Sequence, residues 1–159
     1  MILFALACAG PDPLEQTPCE ELGAPGLELA PSDLDFGDFE DGDALLYGTP
    51  PQGGAPYSPF KARASGINGL DETTVVNLHA VDIDDGTQLG DISYDVRFVC
   101  ANVGDAAGSW VGSDLHLRFQ GWALEDLAGR SAEVTMTVTA PSGDEVDAAL
   151  EGRLTLMGK

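Results

Sequence analysis

The feature of this sequence that most restricts its fold is a period-two alternation of apolar and polar residues, repeated run after run from about Val75 onward. Successive side chains on an extended strand point to opposite faces, so each such run reads as a strand with one dry face and one wet face. Val76, Leu78 and Ala80 alternate with Val75, Asn77 and His79; Leu115, Leu117 and Phe119 alternate with His116, Arg118 and Gln120. Val134, Met136 and Val138 alternate with Glu133, Thr135, Thr137 and Thr139. A strand running from Ile92 toward Val103 places Ile92, Tyr94, Val96, Phe98 and Cys100 on one face, and a last strand does the same with Val146, Ala148, Leu150, Gly152, Leu154 and Leu156. Turn formers separate the runs, among them Asp84-Asp85-Gly86, Gly104 to Gly108 and Pro141-Ser142-Gly143-Asp144, and Asp-Gly is a strong hairpin signal. The one helix predicted is a turn or two near residues 123–128, closed by Gly129 at its C-terminal cap. Strands of this length and spacing, each with one wet face, predict an all-β fold built as an antiparallel sandwich or barrel, of which the β-sandwich is favoured.

The rest of the chain is organised differently. At 159 residues there is room for one domain. Residues 1–7, Met-Ile-Leu-Phe-Ala-Leu-Ala, are apolar and end at Cys8. Seven residues are too few to span a bilayer, which takes about 20, and the segment reads as a signal-peptide remnant. Ala5-Leu6-Ala7-Cys8 is similar to a bacterial lipobox, in which the cysteine is acylated and becomes the new N-terminus, although Ala5 stands where that motif usually has Leu and no basic segment precedes it. Residues 8–31 carry Pro11, Pro13, Pro18, Pro25 and Pro31 with acids between them. They read as an extended, acidic tether, with a short strand beginning at Leu27 or Leu34. The sandwich domain is then assigned to residues 32–159, with a loop rich in Gly and Pro over residues 48–56.

Charge narrows the partners. The chain has 27 Asp and Glu against 7 Lys and Arg, a formal net charge of −20, and its first base is Lys61. Such a surface repels phosphate backbones, which excludes nucleic acid as a partner, and it repels anionic headgroups, so any membrane attachment falls to an N-terminal lipid. The same charge serves solubility in an exposed setting.

With Cys8 assigned to lipid, Cys19 and Cys100 remain as an even pair. In an oxidising compartment they are candidates for a disulfide that staples the leader to the domain, worth roughly 4 kcal/mol by chain entropy, the alternative being two free buried thiols.

Two further patterns are family-like. The sandwich is expected to be immunoglobulin-like or fibronectin III-like, without the Cys-Trp-Cys arrangement of antibody domains, since Trp110 and Trp122 both follow Cys100. Pro51-Gln52-Gly53-Gly54, Cys100-Ala101-Asn102-Val103-Gly104 and Trp110-Val111-Gly112 resemble uncharacterised cell-envelope lipoproteins of Gram-negative bacteria. That resemblance covers about two thirds of the chain. It implies a lipid-anchored β-sandwich at the outer membrane or cell surface, secreted or periplasmic residence being the alternative, and it supplies no catalytic residue.

Candidate chemistry is sparse. Asp33, Asp35, Asp38, Glu40, Asp41 and Asp43 offer oxygen ligands of the kind Ca²⁺ takes, as do Asp82, Asp84 and Asp85 beside Gly86, but neither cluster keeps the register of an EF-hand loop. His79 and His116, on polar strand faces, are candidates to meet across a sheet near Asn77 and Asp114 and hold a transition metal. Trp110, between Gly108-Ser109 and Gly112-Ser113, is the candidate ligand platform, although large aromatics in small sandwiches usually belong to the core. Neither a Gly-x-Ser-x-Gly elbow nor a Cys-x-x-Cys pair occurs. The function expected is a non-enzymatic envelope module that binds a protein or glycan or serves structurally, without a cofactor. The alternative is a Ca²⁺-dependent or hydrolytic envelope enzyme.

Overall fold

The computed structural model describes Cys19 and residues 24–70, 72–101 and 108–158. Nine strands and one short helix follow in chain order: β1 Gly26–Pro31, β2 Ala44–Tyr47, β3 Tyr57–Ser65, β4 Thr74–Asp82, β5 Gln88–Val96, β6 Val99–Cys100, β7 Trp110–Arg118, α1 Leu124–Leu127, β8 Ser131–Thr139 and β9 Glu145–Leu156. They form two sheets, ordered β1-β3-β7-β6 and β2-β9-β8-β4-β5, which face each other as a sandwich.

The alternating runs become the faces expected of them. Val76, Leu78, Ala80, Leu115, Leu117, Phe119, Val134, Met136 and Val138 are all fully buried, and Phe60, Ala62 and Ala64 of β3 meet them from the first sheet. At about 25 cal/mol per Å² of apolar surface removed from water, this two-sided burial is the main stabilising term of the fold.

The strand order is that of an immunoglobulin domain. In the usual lettering the first sheet is A-B-E-D and the second is G-F-C-C′, and β1, β3, β7, β6 and β9, β8, β4, β5 occupy those places in that chain order. The antibody cross-link is not carried over: β3 and β8, the B and F strands, hold no cysteine, and the inward positions of β4 are Val76, Leu78 and Ala80 instead of a Trp.

Three features depart from expectation. First, sheet structure begins at Gly26, so the last six residues assigned to the tether form β1, paired antiparallel with β3 from Gly26↔Ser65 to Pro31↔Phe60. Second, one pair is parallel: β2 runs alongside β9 from Ala44↔Arg153 to Tyr47↔Leu156. The chain leaves the first sheet after β1 and crosses to the edge of the other, where its direction matches that of the final strand. Third, the strand expected from Ile92 toward Val103 is divided. β5 belongs to one sheet and β6 to the other, and the break falls at Arg97 and Phe98, where the Phe98 ring is buried against Gly112. Leu156, expected on the inner face of β9, is exposed at the strand end.

The predicted helical turn is present. α1 covers Leu124–Leu127, Leu127 is fully buried, and Gly129 follows with φ +81°, the left-handed conformation of a C-terminal cap. Tyr47 fixes this corner by donating its hydroxyl hydrogen to the Leu124 carbonyl at 2.7 Å.

Candidate functional site

The residues singled out in the sequence are scattered by the fold. Cys8 lies outside the described residues. Cys19 and Cys100 form a disulfide with Cα atoms 5.6 Å apart, so the segment before β1 is tied to β6 at the edge of the first sheet.

The loop acids Asp33, Asp35, Asp38, Glu40, Asp41 and Asp43 are all exposed, and three of their carboxylates are engaged, each separately. Asp43 accepts from the Glu40 amide at 3.0 Å, Asp41 accepts weakly from the Glu151 amide at 3.4 Å, and Asp35 lies 3.9 Å from Lys61. Phe36 sits under the cations Lys61 and Arg63 of β3, at 5.1 and 4.8 Å from its ring centre, and drapes the loop over that strand. Among the described residues no three His, Cys, Asp or Glu side chains are grouped to hold a metal ion.

Asp82 and Asp85 are engaged within their own hairpin and by Arg130, whereas Asp84 contributes only its amide. Asp82 is buried and accepts from the Asp84 amide and from Arg130. Hydrogen bonds from Thr87 hold the Asp85 carboxyl below the usual carboxylate range. Arg130 also donates to the Asp126 carbonyl at 2.7 Å and lies 4.8 Å from the Trp122 ring centre. It therefore ties the β4–β5 turn to the segment around α1, and it neutralises a carboxylate that would otherwise be buried alone.

His79 lies on β4 and His116 on β7, in different sheets, so the pair expected to share a metal does not meet. Trp110 is 7% exposed and pairs with Cys100 across β6 and β7. It is a core residue beside the disulfide and presents no surface platform, the outcome favoured by its size.

What the sequence reading missed is a cleft on the outer side of the first sheet. Residues 50–55 arch over the start of β3 and the end of β7, enclosing about 380 Å³ between the loop and the side chains of Tyr57, His116 and Arg118. The loop is held at both ends and in the middle. Gly48 and Tyr57 exchange backbone hydrogen bonds at 3.0 and 2.8 Å, Pro56 receives the Phe119 amide at 2.9 Å, and Gly53 donates to Pro50 across a turn whose second residue is Pro51. Proline at that place presets the turn. Tyr57 packs against His116 with ring centres 4.7 Å apart and planes tilted by 48°, and the register places Tyr57 opposite Arg118 and Pro59 opposite His116. The alternation that defined β7 had already put His116 and Arg118 on its wet face. The signal that would have completed the site is the loop of residues 48–56 directly before Tyr57.

The comparisons with known proteins are brief. No family model matches the chain, and no curated protein matches it. Among solved structures, that of murine CRIg aligns with 86% of this chain and 100% of its own, at 10% identity and a TM-score of 0.34. The immunoglobulin-like assignment rests on the strand order, not on that likeness.

Beneath the cleft, Tyr94 of β5 turns inward. Its hydroxyl is closed off from solvent with no hydrogen-bond partner among the described residues. Burial pushes its pKa up to about 12, against smaller opposing influences from the His116 main chain and the Arg118 charge.

Proposed function

We propose that this chain is an exported, immunoglobulin-like module of the cell envelope, anchored by lipid at Cys8, that binds a protein or glycan partner or serves structurally, with no catalytic activity and no cofactor. The observation that carries the reading is the Cys19–Cys100 disulfide. Disulfides persist in oxidising compartments and are rare in the cytosol. The charge of −20 suits an exposed surface and argues against a nucleic-acid partner. The lipobox-like Ala5-Leu6-Ala7-Cys8 run, together with the resemblance to Gram-negative envelope lipoproteins carried by residues 51–54, 100–104 and 110–112, supports the outer membrane or cell surface as the site of attachment.

Detergent phase separation tests the anchor. The native protein should enter the detergent phase, and Cys8→Ser should remain in the aqueous phase. Equal partitioning of the two would contradict the lipid at Cys8, and an aqueous native protein would point to the secreted or periplasmic alternative.

A further inference from the structure

A molecule this acidic should offer acids in its clefts, and three among the described residues do. One cleft is lined by Asp41, Asp84 and Glu151, another by Glu28, and a third by Asp91. Among the described residues no carboxylate lines the cleft under residues 50–55. Its only charged side chain is Arg118, and its other side-chain donors are Tyr57, His116 and Gln52.

Among the described residues Arg118 has no carboxylate within ion-pairing reach, a condition it shares with Arg97 and Arg153, whereas Lys61, Arg63 and Arg130 each have one; of the three without, Arg118 is the one that lines this cleft. An unpaired guanidinium with a fixed fork of donors is suited to a bidentate carboxylate. Beside it the Tyr57 and His116 rings, in contact with their planes tilted by 48°, and the Pro50-Pro51 edge form a partly apolar wall. Gly53 and Gly54, at φ +81° and +126°, keep the loop free of side chains on that rim, where an added Cβ would meet nothing within 4 Å. The volume lies at the lower end of the range for small-ligand sites, which is roughly 300–1,000 Å³. The hydrogen bonds that close the loop preorganise it, so little chain entropy is lost on binding.

From this arrangement we infer that the cleft binds a carboxylate carried on a six-membered ring, with Arg118 receiving the carboxylate and Tyr57 and His116 contacting the ring face. The inference rests on reading the domain as a binding module. It does not depend on the anchor, so its failure would leave the Cys8 partitioning result standing, and the reverse also holds.

The molecule's long-range negative field opposes an incoming anion. Salt screens that field, with a Debye length of about 8 Å at physiological ionic strength, more strongly than it screens a contact pair. Binding should therefore hold steady or tighten as salt rises from low to physiological levels, the opposite of the usual behaviour of an anion at a cationic site.

The test is a ¹H–¹⁵N NMR titration of the described domain within the full chain. The probes are sodium galacturonate, sodium benzoate, glucose and sodium chloride at matched ionic strength, followed at the Gly53 and Gly54 amides and the His116 ring protons. The expected result is saturable shifts at these positions with galacturonate or benzoate and none with glucose or chloride. The responding acid identifies the source as a sugar acid or an aromatic acid. Arg118→Gln, an exposed substitution whose fold is checked by its melting curve, should weaken binding about tenfold, the scale of one lost charge-assisted contact. His116→Gln should weaken it less. The inference is overturned if neither acid moves the cleft resonances, if glucose or chloride moves them equally, or if Arg118→Gln binds as tightly as the native chain.

Discussion

Two residues decide most of what can be tested locally. Tyr94 keeps a hydroxyl in a closed environment, near the His116 main chain but with no hydrogen-bond partner among the described residues, and an unsatisfied buried group costs about 1–3 kcal/mol. Tyr94→Phe removes that cost and should raise stability by about 1 kcal/mol in denaturant titration, where a loss of stability would show the hydroxyl to be satisfied. The same group sets an alkaline limit. Its pKa is about 12 in the fold against about 10 in the unfolded chain, so its neutral form favours folding at every pH below 10. That contribution falls as pH rises from about 10 to about 12, because the unfolded chain releases the proton first. Native protein should lose stability over this window, and Tyr94→Phe should flatten the decline. Arg130 is the second residue. Arg130→Gln leaves the Asp82 carboxylate buried with its Asp84 amide bond but without its cation. The expected loss is about 3 kcal/mol, and Asp82→Asn on the same background should restore part of it.

At the scale of elements, what was legible in advance follows the strength of the alternation. β4, β7, β8 and β9 carry Val, Leu and Met on one face and polar residues on the other, and each runs as expected apart from the exposed Leu156 at the end of β9. β3 was not legible because its inward residues are Ser58, Phe60, Ala62 and Ala64, a weak apolar signal interrupted by Pro59. Pro59 is tolerated there because it lies just past the end of β1, where the Ser32 amide still donates to the Pro59 carbonyl at 3.1 Å and only the return bond from residue 59 is missing. The split of β5 from β6 was hidden for the opposite reason. The apolar alternation continues unbroken through Phe98, and only tertiary packing over Gly112 marks the change of sheet. The parallel β2–β9 pair depends on a feature no hydropathy pattern reports. A Cβ at Gly152 would stand 2.6 Å from Leu45 Cγ and 2.8 Å from the Asp43 carbonyl oxygen. Gly152→Ala should therefore lift β2 from β9 and cost about 2 kcal/mol, with faster amide exchange at Leu45 and Leu46. Unchanged exchange there would show that the edge strand accommodates the methyl. The candidate site was half legible: its strand residues lay on a recognisable wet face, whereas the cleft depends on how the loop of residues 48–56 closes.

For the whole molecule the disulfide links topology to compartment. It joins positions 81 residues apart, a separation for which chain entropy gives roughly 4 kcal/mol of stabilisation. Cys100→Ser, or reduction of the native protein, should accordingly lower stability by about 2–5 kcal/mol, and a change well below that would mean the cross-link adds little to a sandwich already held by its core. The account as a whole makes two covalent statements about the mature chain, and one mass spectrum of protein isolated unreduced from its own envelope reads both. The prediction is an N-terminal peptide beginning at Cys8 with acyl chains attached, together with a cross-linked pair of peptides containing Cys19 and Cys100. A chain carrying an unmodified Cys8 and free thiols at Cys19 and Cys100 would contradict it.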